Sequence, residues 1–179
     1  MAEGRLTGPF PEGRDPEEYD RERRRILWSL PTGLYVLGSA ASGRRNLMTL
    51  NWATQVATDP KLLAVSVEVG AVTHKLVTDG GAFSLNVLAR EDRAMVRKFV
   101  KPLEDDGDPR SLGGFGVRTR VTGAPILESA LAWLDCRVWQ TVPCNSHTLF
   151  LGEVVDCGNG NDSPAEVLRM EDTRMSYGG

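Results

Sequence analysis

Thr73-His74-Lys75 follow Gly70 at a predicted helix start, placing a hydroxyl, an imidazole and an ammonium beside backbone N–H groups that a first turn leaves unpaired. That set suits a phosphate. The same residues also describe a capping threonine with a solvated lysine. Lys98 and Lys101 close the next predicted helix, where basic side chains settle for dipolar reasons or supply a further cation. Between Asn46 and Trp52 a strand would alternate its side chains, with Asn46, Thr49 and Asn51 as hydrogen-bonding candidates and Trp52 as either a stacking platform or a core aromatic. Ser66 and Glu68 share the polar face of a later strand. Glu68 would repel a phosphate, and reads as facing solvent or pairing with an arginine. His147, one of 2 histidines, opens an apolar strand; it is either structural or, because imidazole titrates near neutrality, suited to charge chemistry. Cys136, Cys144, Cys157 and His147 could be summed to a zinc set, but only Cys144 and His147 are spaced as paired ligands are.

The elements that must position these residues follow from the local signals. Asp15 as cap, Pro16 at the first helical position and Glu18 three residues after the cap open a helix that Pro31 stops. Residues 1–14, with Gly4, Gly8, Pro9, Pro11 and Gly13, read as an arm lying on another surface or as disorder. The period then becomes strand-like: 34–37, a turn at Ser42-Gly43, and 46–52 make a hairpin. In 62–69, Leu63, Val65, Val67 and Val69 alternate with Ala64, Ser66 and Glu68, as in a half-buried strand. Short helices are expected at 73–78 and 91–100, strands at 83–88, 117–122, 131–142 and 147–156, and a last short strand near Val167. The acidic, glycine-rich stretch 104–116 reads as a mobile loop. One helix, many strands and two inserted helices make a mainly β (α+β) chain, closed or nearly closed into an antiparallel barrel.

The whole chain has 179 residues, enough for one core and too few for a modular enzyme. With 21 basic against 24 acidic residues the net charge is −3, so no global field draws nucleic acid or an anionic membrane. Three cysteines without a Cys-x-x-Cys pair do not make a disulfide framework, and a reducing cytoplasm is the simpler setting. The basic run Arg21–Arg25 ahead of apolar 26–38 imitates an export signal, but the long acidic stretch before it and Pro31 and Gly33 within it argue otherwise.

Four stretches together resemble the flavin reductase-like family of FMN-binding split barrels over roughly residues 20–179. They are Asn46-Leu47-Met48-Thr49-Leu50-Asn51-Trp52-Ala53; Asp59-Pro60 leading through Val65-Ser66-Val67 to Thr73-His74-Lys75; Phe83-Ser84-Leu85-Asn86-Val87-Leu88; and His147-Thr148-Leu149-Phe150-Leu151-Gly152-Glu153-Val154. Tyr177 resembles the closing aromatic of the flavoredoxin-like branch. The resemblance implies a Greek-key split β-barrel over 15–179 with the 1–14 arm ahead of it, and a homodimer that completes the site between two chains. It implies FMN as cofactor, NADH or NADPH as reductant, and a monooxygenase or other redox protein as recipient. The residues implied to bind cofactor are Asn46, Leu47, Met48, Thr49, Asn51, Trp52, Ala53, Ser66, Thr73, His74, Lys75 and Lys101, with Thr73 foremost for the phosphate. His147 and Tyr177 are the implied catalytic residues, flanking an open ring face. Where the family commonly reads Gly-Asp-His, this chain reads Asn145-Ser146-His147. An electron carrier holding FMN without oxidising NAD(P)H is the alternative, favoured by that change.

Overall fold

Asp15 accepts the Glu18 N–H through Oδ1 (2.9 Å), and with Pro16 behind it the chain enters α1 (Pro16–Trp28) as the capping residues dictate. The computed structural model of the protein describes residues 6–105, 107–160, 165–173 and 175. Within it the chain divides into one unit around α1 and another of Thr32–Thr173. In the first, none of the residues of α1 is buried, and the described part of the arm, 6–14, runs along the helix. Arg23 donates to the Thr7 carbonyl (2.6 Å), and its guanidinium lies over the rings of Phe10 and Tyr19 at 5.9 and 5.6 Å. The surface on which the arm lies is its own helix.

The second unit is built on a seven-stranded antiparallel sheet. Its strands are β1 (Tyr35–Ala41), β2 (Arg44–Leu50), β3 (Ala53–Thr58), β4 (Lys61–Glu68), β5 (Ala82–Val87), β9 (Ala132–Cys144) and β10 (His147–Asn159). Their order is β2-β1-β5-β9-β10-β4-β3, so β2 and β3 are the two outer strands of the sheet. Only Asn51 and Trp52 separate β2 from β3 in sequence. Two edges joined by so short a link cannot stand far apart, so the sheet must curl into a barrel that is split at residues 51–52. The expected barrel is therefore present, with its seam fixed by the chain itself.

Ser42 and Gly43, both with positive φ, close β1 onto β2 at the predicted turn. β3 is an element that the sequence patterning missed, because Ala53–Thr58 is polar and mostly exposed and shows no two-residue period. The reading of β4 as half-buried is corrected as well. Residues 62–65 are buried in succession, so both faces of β4 are covered there, whereas Val69 is 52% exposed past the strand end. Inside the barrel Leu37, Leu50, Leu63, Val65, Val67, Phe83, Leu85, Cys136 and Phe150 form one core. Gly152 on β10 is required there: a Cβ would stand 2.5 Å from Cζ of Phe83 and 2.9 Å from Cβ of Cys136.

α2 (Val72–Gly80) covers β1 and β2 with Thr73, Leu76 and Val77, an i, i+3, i+4 face. The segment Arg90–Phe99, expected as a helix, is a 3₁₀ helix that buries Val96 and Phe99. Three short strands, β6 (Ser111–Leu112), β7 (Phe115–Arg118) and β8 (Ile126–Leu127), form a small second sheet. The last predicted strand reduces to two isolated bridges, Ala89 to Val167 and Gly33 to Arg169. Ser84 and Asn86, in one of the quoted family stretches, brace the fold. Asn86 donates to the Val36 carbonyl (2.9 Å) and accepts from Leu127 N–H (2.8 Å), while Ser84 donates to the Pro125 carbonyl (2.5 Å).

Candidate functional site

The split places Trp52 against the beginning of β10. Its ring centroid is 5.0 Å from that of His147, tilted by 58°, and the tryptophan is 40% exposed. The Trp52 carbonyl accepts the Ser66 N–H (3.0 Å), so Ser66, half-buried on β4, is held behind the pair. His147 stands opposite Glu68 on β4 and opposite Cys144 on β9. Ala53, half-buried, continues the wall from Trp52. This open group is an aromatic platform with polar margins, formed where two sheet edges meet.

A second group is closed. Asn46 and Thr73 are both buried, and Nδ2 of Asn46 donates to Oγ1 of Thr73 (2.8 Å) while its Oδ1 accepts the Leu103 N–H (3.0 Å). Thr49, also buried, donates to the Val96 carbonyl (2.5 Å). The residue expected to take the phosphate is thus 1% exposed and bonded inward. Asn51 is buried at the link, Leu47 is fully buried, and Met48 packs on the barrel core. Arg45, beside Asn46, has the acidic stretch in its grip: it donates to both carboxylate oxygens of Asp105 and to the carbonyls of Asp108, Pro109 and Ser111. Hydrogen bonding to Arg45 holds the Asp105 carboxyl below its ordinary range. The stretch expected to be mobile is therefore latched to β2. A cleft of about 290 Å³ lies here, bordered by Arg44, Asn46, Val72, Pro102 and Asp105.

α2 connects the two groups. Its Thr73 joins Asn46, and the next residue, His74, places Nε2 2.8 Å from Oγ1 of Thr148, the neighbour of His147. The helix starts at Ala71 with no side-chain cap, immediately after Gly70, whose φ of 92° turns the chain out of β4 and leaves open space where a Cβ would stand. Lys75 is exposed and pairs with Asp79 (2.6 Å) one turn along the helix. Lys101 is exposed just beyond the 3₁₀ helix. Tyr177 lies outside the described residues. Among the described residues no three His, Cys, Asp or Glu side chains gather as a metal set; Cys136 is in the core, and burial foremost, with the charge of Asp135 second, pushes its thiol up to about 12.

Sequence reasoning missed Arg45, Ser146 and Thr148. A basic residue beside a hairpin turn reads as solvated, and nothing local marks its partners some sixty positions away. Ser146 was hidden because the strands expected at 131–142 and 147–156 leave four residues between them, and only the extension of β9 to Cys144 makes it part of a two-residue connection.

An antiparallel barrel split at a partly exposed aromatic pair, with an uncapped helix start against the same strands, has the features that suit a planar, phosphate-bearing ligand. Residues 27–178 match the flavin reductase like domain, and the chain belongs to that family. It is 34% identical over 146 residues to the NADH-dependent flavin reductase StyB of Pseudomonas fluorescens, covering 81% of this chain and 82% of that one. It is 32% identical over 155 residues to an NADH-dependent FAD reductase of Streptomyces globisporus, covering 84% and 81%. Among solved structures, the styrene monooxygenase flavin reductase of Pseudomonas putida S12 superposes with a TM-score of 0.67 at 31% identity, over 82% of this chain and 90% of that one.

Proposed function

We propose that the protein is a flavin reductase that uses NADH and holds FMN at the split between β2 and β3. The observation that carries this is the Trp52–His147 pair, an exposed and a half-buried ring 5.0 Å apart beside an uncapped helix start. Such a platform offers one face to an extended ring while the free N–H groups of α2 suit a phosphate. When bound, the flavin supplies the redox chemistry, taking electrons from the nicotinamide and passing them on.

The chain's own residues bind and orient. Trp52 and Ala53 wall the ring, Ser66 backs the wall, the Gly70–Val72 turn meets the phosphate, and Asn46, Thr49 and Thr73 hold that turn and β2 in register from behind. His147 borders the face left open for the reductant. The relatives at 34% and 32% identity are named as NADH-dependent, which supports the reductase over the electron carrier. The name of the solved relative supports an oxygenase as recipient of reduced flavin.

A homodimer is the proposed assembly. Val56, Trp139 and Val142 in β3 and β9, and Val69 just past β4, are exposed large apolar residues, and a second copy would cover them. The exposed thiols of Cys144 and Cys157 suit a reducing cytoplasm. Anaerobic titration with NADH and then NADPH, following the flavin spectrum, tests the reading: bleaching by NADH is expected. Flavin that stays oxidised under both nucleotides would leave the carrier in its place.

A further inference from the structure

The whole connection between β9 and β10 is Asn145 and Ser146. Asn145 has φ of 59°, a left-handed conformation that asparagine adopts more readily than most residues with a side chain. The Ser146 carbonyl accepts the Val69 N–H (2.9 Å), which fastens the tip to the end of β4. With its backbone held on both sides, Ser146 places Oγ 2.9 Å from Nδ1 of His147. One ring nitrogen is thereby engaged and Nε2 is left to the site. The titratable groups paired across from His147 are Glu68 and Cys144, and among the described residues no carboxylate lies within ion-pair distance of the imidazole.

We propose that Ser146 is a positioning residue, donating its hydroxyl hydrogen to Nδ1 so that neutral His147 carries its proton on Nε2. A neutral imidazole has one donor and one acceptor nitrogen, and the hydrogen bond at one decides the other. Among the described residues Nδ1 is the only partner of the Ser146 hydroxyl, so its hydrogen meets an acceptor when it is directed there. An aspartate at 146 could only accept; it would draw the proton to Nδ1 and favour the charged ring. Serine instead leaves an uncharged N–H donor beside Trp52, matched to a carbonyl-type acceptor such as the carboxamide of a nicotinamide. That last step rests on the reductase reading; the tautomer does not.

The test uses flavin-free full-length protein with ¹⁵N-labelled histidine. With 2 histidines the spectrum has two ring systems, and His147→Gln assigns them. The neutral ring of wild-type His147 is expected to carry its proton on Nε2. Ser146→Thr should keep that state, and Ser146→Ala should give a mixture. Ser146→Asp should move the proton to Nδ1, while Glu68→Gln leaves the tautomer unchanged. A wild-type proton on Nδ1, or a wild-type tautomer in Ser146→Ala, overturns the assignment. In the flavin-loaded protein, Ser146→Ala should raise KM for NADH about threefold to tenfold with kcat little changed. An unmoved KM refutes the link to the nicotinamide and leaves the reductase reading standing. A wild-type protein that does not oxidise NADH refutes that reading, and the tautomer is then decided by the spectra alone.

Discussion

The two polar groups joined by the first turn of α2 spend their hydrogen-bonding capacity in opposite ways. Around Asn46, every side chain described has its partner inside the protein: Thr73, Leu103, Val96, and the carboxylate and carbonyls that Arg45 gathers. Around Trp52, two rings meet at the surface and the free imidazole nitrogen has no described protein partner. Buried polar groups that satisfy one another specify a single backbone arrangement, whereas a surface that is to receive a ligand must keep a face unspent. Asn46 and Trp52 belong to one continuous stretch of sequence, yet the fold sorts them into opposite roles.

The sharpest way to separate interior from surface is chemical. Cys136 lies in the core with its thiol pushed up to about 12, while Cys144 and Cys157 are exposed. A disulfide reagent at neutral pH should modify the two exposed thiols at least about a thousandfold faster, since the thiolate is the nucleophile. Similar rates for all three thiols would mean that the barrel is not packed as described. Next comes the closed group. Asn46→Leu removes the partners of a buried hydroxyl and a partly buried N–H, and should cost about 3 kcal/mol in urea unfolding. Unfolding within about 0.5 kcal/mol of wild type would show that the network holds nothing.

Trp52→Ala should do the reverse, barely changing stability and weakening flavin binding about threefold to tenfold by fluorescence titration, the scale of one lost aromatic contact. Equal retention of flavin by folded Trp52→Ala would remove the platform from the site. The smallest effect concerns the latch. Because Arg45 lowers the pKa of Asp105, the contact is fully present above the ordinary carboxylate range and is lost as the pH falls through the lowered value. Amide protection factors across 103–111 should drop over that window in wild type and show no such step in Arg45→Met. A step of the same size in both would detach the loop's order from the ion pair.

Local structure was legible in the sequence where a single residue type carries a local constraint. Asp15, Pro16 and Glu18 set the start of α1, and Ser42-Gly43 set the first hairpin, because caps and turns are short-range chemistry. β3 was hidden, since an edge strand with polar side chains has no buried face to impose a period. The burial of Ala64 and the exposure of Val69 depend on what packs over each face of the sheet, a long-range fact. The same limit applies to the site: Thr73 and Trp52 were both singled out, but whether a polar residue turns inward or outward is settled by partners such as Asn46 and Leu103. The resemblance located the stretches that matter and left open which residues in them brace the fold.

The two seams of β10 differ in how far apart in the chain their strands lie. Its pairing with β9 closes through Asn145 and Ser146, whereas its pairing with β4 joins Glu68 to His147 across a long span of intervening sequence. Loop-closure entropy therefore penalises the second seam far more than the first. The hairpin can zip from its tip with serine and histidine already paired, and Trp52 and Glu68 arrive only when distant chain segments meet. Weakening β4 would then dismantle the site while the hairpin that carries its histidine still forms.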